Sequence, residues 1–143
     1  MASRLNPYLS FDGNARAAME YYRDVFDATL TLTTFGEYGM TDPALADGVM
    51  HAQLETEGGF TLMASDTAPG MTFQPGNTMS VSLSGDDADE LHGYWERLSD
   101  GGEVSVPLEV QMWGDEFGMC TDRFGTSWLV NIAQPPAGEG SGA

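Results

Sequence analysis

The sequence predicts an α+β fold that is built from two βαβββ modules, and three observations support this prediction. First, the chain has 143 residues, of which 41% are hydrophobic, enough to bury a core. Second, amphipathic helices are expected near residues 14–26 and 87–98, and each has one predicted strand before it and three after it. Third, the two halves match in pattern when Tyr21 is aligned with Tyr94 and Val25 with Leu98. The same order of elements therefore occurs twice.

The first module is predicted over residues 1–66. It opens with a strand at residues 6–11, after which Asn14 is a suitable N-cap for the first helix. The apolar residues of that helix recur at helical spacing: Ala15, Ala18, Met19, Tyr22 and Phe26. Three strands are then expected, at residues 29–35, 49–55 and 60–65. The last two form a hairpin at Gly58-Gly59, and a loop rich in Gly, Asp and Pro separates the first two.

A linker is predicted at residues 67–77, because two prolines and two glycines interrupt it, and the second module follows over residues 78–133. Its first strand, at residues 78–84, alternates strictly between polar and apolar side chains. The helix over residues 87–98 has its own apolar stripe: Leu91, Tyr94, Trp95 and Leu98. Three more strands are expected, near residues 103–106, 117–121 and 126–132. Residues 134–143 contain no large apolar side chain and are expected to be disordered.

The charge balance is strongly acidic, since five arginines, no lysine and 22 acidic residues give a formal net charge of −17. Such a surface repels phosphate backbones and anionic membranes, so we expect no nucleic-acid partner and no membrane partner. The charge either attracts a cationic ligand or reflects a bias of the whole proteome. The acidic residues are scattered through most of the chain, which favours the second explanation.

A cytoplasmic location is expected. No apolar run approaches the roughly 20 residues that span a bilayer, and residues 1–7 lack the apolar core of a signal peptide. Cys120 is the only cysteine, which excludes an internal disulfide and a cysteine-based zinc cluster. No histidine is adjacent to Cys120, so we expect it to be a small buried apolar residue without a nucleophilic role.

Four stretches of the sequence carry a family resemblance when they are taken in order. They are residues 7–26, which begin PYLSFDGNA; residues 50–66, with MHA and LMASD; residues 113–118, WGDEFG; and residues 122–128, DRFGTSW. Over roughly residues 5–134 the chain resembles the PhnB-like proteins of the vicinal-oxygen-chelate (VOC) superfamily, which includes glyoxalases, bleomycin-resistance proteins and dioxygenases.

The resemblance implies a homodimer in which paired modules form eight-stranded, cupped mixed sheets, with a ligand cavity on the concave side of each cup. The modules pair either within one chain or between two chains. PhnB-like proteins are also described as 3-demethylubiquinone methyltransferase-like. No glycine-rich nucleotide-binding loop follows the first predicted strand here, so methyltransferase activity is not expected.

The resemblance also raises the question of a metal site. Metal-dependent members of the superfamily take one His or Glu from each of four strands, the first and the last strand of each module. At those positions this sequence offers Pro7, Tyr8, Met63, Ala64, Thr78, Ser80, Leu129 and Val130. None of these is a credible ligand for a divalent first-row metal, so we expect no metal and no cofactor.

His51 is the candidate catalytic residue, with Asp66 as its partner. A two-residue loop at Gly58-Gly59 would place His51 opposite Asp66, with Cβ atoms about 4.5–5.5 Å apart. The carboxylate would then orient the imidazole for general acid–base chemistry. Alternatively the pair only stabilises the hairpin, and this interpretation is favoured because a one-residue slip in register would separate the two side chains. The other histidine, His92, is expected on the solvated surface.

Six further residues are candidates for ligand binding: Gln53, Glu55, Ser80, Ser82, Trp113 and Phe117. The first two share a strand face with His51, although about 13 Å separates the Cα atoms of His51 and Glu55. The two serines belong to the polar face of the fifth strand. The two aromatic residues lie in a methionine-bearing stretch that either lines an apolar pocket or belongs to the core or a dimer interface.

Three functions remain open. The first is small-molecule binding by a VOC fold that lacks the usual metal site, with a metal-independent enzyme as one form of it. The second is non-catalytic sequestration of a drug or metabolite, as in bleomycin-resistance proteins, where an acidic dimer would suit a cationic ligand. The third is a structural or interaction dimer. The missing metal ligands favour the second and third over metal-dependent catalysis, and no motif identifies a ligand.

Overall fold

The computed structural model describes residues 3–76 and 78–134. The chain divides into two compact units, Met1–Pro75 and Gly76–Ala143, and the described part of each contains a four-stranded mixed sheet and a long helix. Each unit follows the order βαβββ, so the predicted α+β fold of two such modules is confirmed. The pairing of modules into cups and the dimer stay predictions.

The first unit is a sheet with one long helix packed on one face. Its elements are β1 (Tyr8–Phe11), α1 (Ala15–Phe26), β2 (Thr29–Thr34), a 3-10 turn (Gly36–Tyr38), α2 (Pro43–Ala46), β3 (Val49–Glu55) and β4 (Thr61–Asp66). The strand order is β1-β4-β3-β2, with β1 parallel to β4 and the other pairs antiparallel. All five residues of the predicted apolar stripe of α1 are buried, as are Ala52 and Leu54 of β3. The core of this unit therefore lies between α1 and the sheet.

The second unit repeats this arrangement. Its elements are β5 (Val81–Gly85), α3 (Ala88–Ser99), β6 (Glu103–Val110), β7 (Glu116–Thr121) and β8 (Ser127–Ile132). The strand order is β5-β8-β7-β6, with β5 parallel to β8. Trp128 is 1% exposed, and its indole N–H donates to Asp122 Oδ2 at 2.8 Å. Trp128 therefore belongs to the core of this unit.

The internal repeat is not uniform along the two units. Ala15, at the start of α1, corresponds to Ala88 at the start of α3, and Thr61, at the start of β4, corresponds to Ser127 at the start of β8. The stretch from the helix to the last strand is longer in the first unit than in the second. The difference arises between β2 and β3, where the first unit inserts the 3-10 turn and α2. In the second unit a short hairpin joins β6 to β7.

Two strand boundaries differ clearly from the prediction. β5 begins at Val81 instead of residue 78, and β6 continues to Val110 instead of ending near residue 106. β6 contains Pro107, and its register with β7 shifts on both sides of Val106. Proline removes a backbone donor from a strand and is tolerated at edges and bulges; Pro107 meets both conditions, because β6 is at the edge of its sheet and its register shifts beside Pro107.

The two short helical turns between β2 and β3 are not among the predicted elements. A start signal for α2 is nevertheless present in the sequence, because Asp42 accepts the backbone N–H of Ala44 at 3.0 Å and Pro43 occupies the first turn. α2 is only one turn long, too short for an amphipathic pattern to show.

The predicted linker contains no helix or strand over residues 67–76. Of the predicted tail, Gln134 is described, and its backbone N–H donates to Asp115 Oδ1 at 3.1 Å. Residues 135–143 lie outside the described residues. Among the helices of residues 3–76 and 78–134, none has both the length and the apolar character needed to cross a membrane.

Candidate functional site

One face of the first sheet is turned away from α1, and nearly all of its side chains are polar. We call it the open face; it is formed by Tyr8, Ser10, Thr31, Thr33, His51, Gln53, Glu55, Thr61, Met63 and Ser65. The alternate residues along the same strands, such as Ala52, Leu54 and Leu62, are buried. Because side chains alternate between the two faces of a strand, the odd-numbered residues of β3 belong to the open face, as predicted.

The polar centre of the open face is the pair Tyr8 and His51. Tyr8 Oη lies 3.1 Å from His51 Nδ1, and the two ring centroids are 5.7 Å apart. Tyr8 is on β1 and His51 is on β3, with β4 between them. Tyr8 is 50% exposed and His51 is partly exposed, so a ligand can reach both. Sequence reasoning missed Tyr8 as a site residue, because the contact depends on the parallel pairing of β1 with β4.

The predicted pairing of His51 with Asp66 is wrong. β3 and β4 pair with Ala52 opposite Ala64, and continuing this register places His51 beside Ser65. Asp66 is 5% exposed and lies on the face that packs against α1. The two side chains are therefore on opposite faces of the sheet.

The physical reason is the length of the hairpin loop. The backbone N–H of Thr56 donates to the carbonyl of Phe60 at 3.1 Å, so the loop has three residues instead of two. Gly59 takes a φ of 101° at the last loop position, which glycine adopts without strain. One additional loop residue shifts the register by one, and such a shift moves a side chain to the other face.

Asp66 organises backbone groups instead of orienting His51. Its Oδ1 accepts the N–H groups of Gly13 and Ala15, both at 2.9 Å, and its Oδ2 accepts the N–H of Val49 at 2.8 Å. Asn14 occupies the predicted N-cap position of α1 but makes no side-chain capping bond there. The carboxylate of Asp66 supplies the cap from a strand that is distant in the sequence.

Gln53 and Glu55 lie on the open face together with His51, as predicted. Gln53 pairs with Met63, which in turn pairs with Tyr8, so these three residues form one row across the sheet. Glu55 is exposed at the far end of β3, about 13 Å from His51 along the strand. Gln53 is therefore the candidate that lies nearer to the Tyr8–His51 pair.

The two serine candidates lie at different places in the second unit. Ser82 is on β5 opposite Leu129. Ser80 precedes β5, and its Oγ lies 2.7 Å from the Oγ of Ser127. Of these two residues of the predicted polar face, Ser82 therefore lies in a strand and Ser80 does not.

The second sheet does not repeat the polar centre of the first. β7 and β8 of the second sheet correspond to β3 and β4 of the first. The pair Gly118 and Val130 in the second sheet corresponds to the pair Ala52 and Ala64 in the first. Phe117, which precedes Gly118, therefore occupies the position that His51 has in the first sheet. An aromatic ring stands where the first unit has an imidazole.

Trp113 and Phe117 are brought together by the β6–β7 hairpin. Their ring centroids are 5.7 Å apart, with the rings at 65° to each other. Trp113 is 58% exposed, so it is not a core residue of the second unit. The pair presents an accessible aromatic surface.

The remaining reactive side chains of the second unit have defined partners or are buried. His92 Nε2 lies 3.1 Å from Glu116 Oε1, so His92, predicted to be solvated, is only partly exposed and has a protein partner. Cys120 is 1% exposed, as predicted. Its burial, together with the negative charge of Asp122, raises the thiol pKa to about 11.

The residues at the superfamily's metal positions do not fit a divalent ion. Tyr8 pairs with Met63 in the first sheet, and Ser82 pairs with Leu129 in the second, where the sequence suggested Thr78 or Ser80. A phenol, a thioether, a hydroxyl and an aliphatic chain are not the imidazole and carboxylate ligands that such ions prefer. In residues 3–76 and 78–134, no three or more His, Cys, Asp or Glu side chains form a group that could hold a metal ion.

Comparisons with known proteins identify relatives that match most of the chain. The family model described as 3-demethylubiquinone-9 3-methyltransferase matches residues 3–131. Protein YjdN of Escherichia coli (strain K12) is 28% identical over 144 residues, covering 91% of this chain and 95% of that protein. In the structure of protein PA1353 from Pseudomonas aeruginosa, the match is 36% identical with a TM-score of 0.84, over 94% of this chain and 100% of the other.

Two further solved structures are similar to the chain. A putative 3-demethylubiquinone-9 3-methyltransferase, PhnB protein, from Bacillus cereus is 25% identical with a TM-score of 0.72, over 92% of this chain and 100% of the other. A glyoxylase/bleomycin resistance protein/dioxygenase domain from Frankia sp. EAN1pec is 14% identical with a TM-score of 0.66, over 96% of both chains. The latter likeness shows the fold alone.

The family description names a methyltransferase, but β1 leads through only three residues, Asp12, Gly13 and Asn14, into α1. A glycine-rich nucleotide-binding loop is not present there. The sequence resemblance is confirmed at the level of family and fold. The chain belongs to the family described as 3-demethylubiquinone-9 3-methyltransferase, is similar to a PhnB protein of that description, and shares the fold of a glyoxylase/bleomycin resistance protein/dioxygenase domain.

Proposed function

We propose that this protein binds a small molecule on the open face of the first sheet, with the Tyr8–His51 pair as the centre of the site. The observation that supports the proposal is the 3.1 Å contact between Tyr8 Oη and His51 Nδ1 on a face lined with hydroxyl and amide groups. Both residues are on strands, which hold side chains more precisely than loops do.

The pair leaves one imidazole nitrogen available to a ligand. A neutral imidazole has one N–H donor and one acceptor nitrogen. When the Tyr8 hydroxyl donates to Nδ1, Nε2 carries the proton and donates to a ligand oxygen; in the other tautomer, Nε2 is an acceptor. Gln53, in the same row as Tyr8, adds an amide donor and acceptor. A ligand with hydroxyl or carbonyl groups would match these partners.

Binding is better supported than His–Asp acid–base catalysis. The carboxylate of Asp66 is buried on the other face of the sheet, where it bonds to three backbone N–H groups. A metal-independent reaction is the second candidate, and the Tyr8–His51 contact favours it, because a hydroxyl and an imidazole at this distance can exchange a proton. Chemical change of a bound compound would distinguish this candidate from simple sequestration.

We also propose that the protein acts as a homodimer. Within its own sheet, each of β1, β2, β5 and β6 has a neighbour on one side only. Unpaired strand edges expose backbone donors and acceptors, and native proteins usually cover or pair them.

The formal charge of −17 would favour a cationic or neutral ligand over an anionic one.

Thermal-shift screening with metabolites and glycopeptide antibiotics, with and without divalent ions, tests the binding proposal. We expect at least one compound to raise the Tm of the native chain, and we expect Tyr8→Phe and His51→Ala to reduce that shift. His92→Ala is the matched control, because His92 lies in the second unit beside Glu116. Equal shifts in the native chain and in both site variants would contradict the proposal.

A further inference from the structure

The β6–β7 hairpin carries an accessible apolar surface that the proposed site in the first unit does not use. Met112 is 97% exposed and Trp113 is 58% exposed. The edge-to-face contact of Trp113 with Phe117, at a centroid distance of 5.7 Å, extends this surface onto β7. An exposed aromatic pair with an exposed methionine next to it in the sequence is an apolar surface of the kind that binding sites use.

The hairpin is built to hold this surface in place. The N–H of Gln111 donates to the carbonyl of Asp115, and the N–H of Gly114 donates to the carbonyl of Gln111, both at 2.9 Å. The side-chain amide of Gln111 also donates to the carbonyls of Glu109 and Phe117, at 3.1 and 3.3 Å. The Trp113–Phe117 pair is therefore supported by a closed turn with additional side-chain bonds.

A carboxylate lies beside the aromatic pair. Glu109 is the strand partner of Phe117, and such cross-strand partners have Cβ atoms about 4.5–5.5 Å apart. Within the described residues, the Glu109 carboxylate accepts no hydrogen bond and forms no ion pair. The neighbouring carboxylates are engaged, since Asp115 bonds to Asn131 and Glu116 to His92. Residues 103–119 contain no lysine or arginine.

We infer that this surface, which we call the hairpin platform (Glu109, Met112, Trp113 and Phe117), binds a small organic cation with an apolar body. An ammonium group over an aromatic face is attracted by the negative ring surface, and tryptophan gives the strongest such interaction. Glu109 supplies a charge that no protein group in the described part of the chain neutralises. Methionine adapts to apolar groups of varied shape.

The test compares choline with 3,3-dimethylbutan-1-ol, a neutral alcohol of the same shape, by NMR titration of the full chain. We expect choline to shift the Trp113 indole signal and to bind about 2- to 30-fold more tightly than the alcohol, as an ammonium–aromatic contact predicts. Equal affinity for both compounds, or shifts confined to other residues, would overturn the inference.

Three variants separate the platform from general attraction to an acidic protein. Trp113→Leu and Glu109→Gln should each remove most of the preference for choline. Glu103→Gln is the matched control, because it removes the same charge from β6 roughly 20 Å away. An equal loss in the Glu103 and Glu109 variants would show diffuse electrostatic attraction and refute the platform. An unchanged preference of Trp113→Leu for choline over the alcohol would refute the platform as well.

Discussion

The carboxylate of Asp66 accepts the backbone N–H of Val49 at 2.8 Å, so the last residue of β4 holds the first residue of β3. The same carboxylate accepts the N–H groups of Gly13 and Ala15 at the start of α1. Three elements of the first unit therefore share one buried acceptor. A buried backbone donor that loses its partner costs about 1–3 kcal/mol.

Asp66→Ala should lower the free energy of unfolding of the first unit by at least about 3 kcal/mol, because three N–H groups lose their acceptor. Hydrogen exchange of the Gly13, Ala15 and Val49 amides should accelerate together, which measures the effect locally. Asp86→Ala, at an exposed site, is the control. Unchanged protection of the three amides in Asp66→Ala would refute the assigned role.

Two Gly→Ala substitutions in the second unit should have opposite effects. At Gly118 an added Cβ would lie 2.8 Å from a ring atom of Trp95 and 2.9 Å from the Cα of Leu108. Gly118→Ala should therefore destabilise the unit by about 1–3 kcal/mol. Gly93 lies inside α3, and apart from the backbone of that helix no atom lies within 4 Å of an added Cβ, so Gly93→Ala should stabilise the second unit by up to about 1 kcal/mol. Urea denaturation of both variants measures the two effects, and the same sign in both would contradict the packing described.

Cys120 should be nearly inert to thiol reagents in the folded protein. With a thiol pKa of about 11, raised by burial and by Asp122, roughly one molecule in a thousand carries the thiolate at pH 8. Labelling with a chromogenic disulfide at pH 8 should be slow in native protein and should reach one thiol per chain in urea. The native rate should rise as the pH approaches 11, and rapid labelling of folded protein at pH 8 would disprove the burial of the thiol.

The pKa of the Asp115 carboxyl group should rise when Asn131 is replaced. The Asn131 amide, and then the backbone N–H of Gln134, hold the pKa of the Asp115 carboxyl below its usual value. A lowered carboxyl pKa stabilises the folded state at pH values above the unfolded pKa, and this contribution disappears as the pH falls through the folded pKa. Asn131→Ala should therefore raise the pKa of Asp115 in an NMR titration and reduce stability more at pH 7 than below pH 3. An unchanged pKa would contradict the assignment.

The homodimer proposal can be checked in solution. We expect light scattering at micromolar concentration to report twice the chain mass of 15.4 kDa, because each sheet has two edge strands that a partner could cover. A lysine substitution on the edge strand that pairs with a second copy of the chain should shift the equilibrium between dimer and monomer toward monomer. A monomer mass at all concentrations up to about 100 μM would rule out a stable dimer.

The order of elements could be predicted because its signals are local. The stripe from Ala15 to Phe26 has helical spacing, and the buried positions along α1 match it. The predicted β3 has the observed bounds, Val49–Glu55. Such patterns depend on which side chains lie within a few positions of one another, and that information is complete in the sequence. The repeated order, with four motifs in sequence, was also sufficient to indicate the family.

The candidate site could be predicted only in part, since it depends on register and on which strands become neighbours. His51, Gln53 and Glu55 share a face because alternation along one strand is local. The predicted partner of His51, Asp66, was wrong, because Gly58-Gly59 is compatible with a loop of two or of three residues. A difference of one loop residue decides the face of the sheet on which Asp66 lies. Local patterns in the sequence therefore specify which residues form the strands of this site. Only the tertiary structure decided that Tyr8, far from His51 in the sequence, meets it, because the parallel pairing of β1 with β4 is a long-range contact that no local pattern encodes.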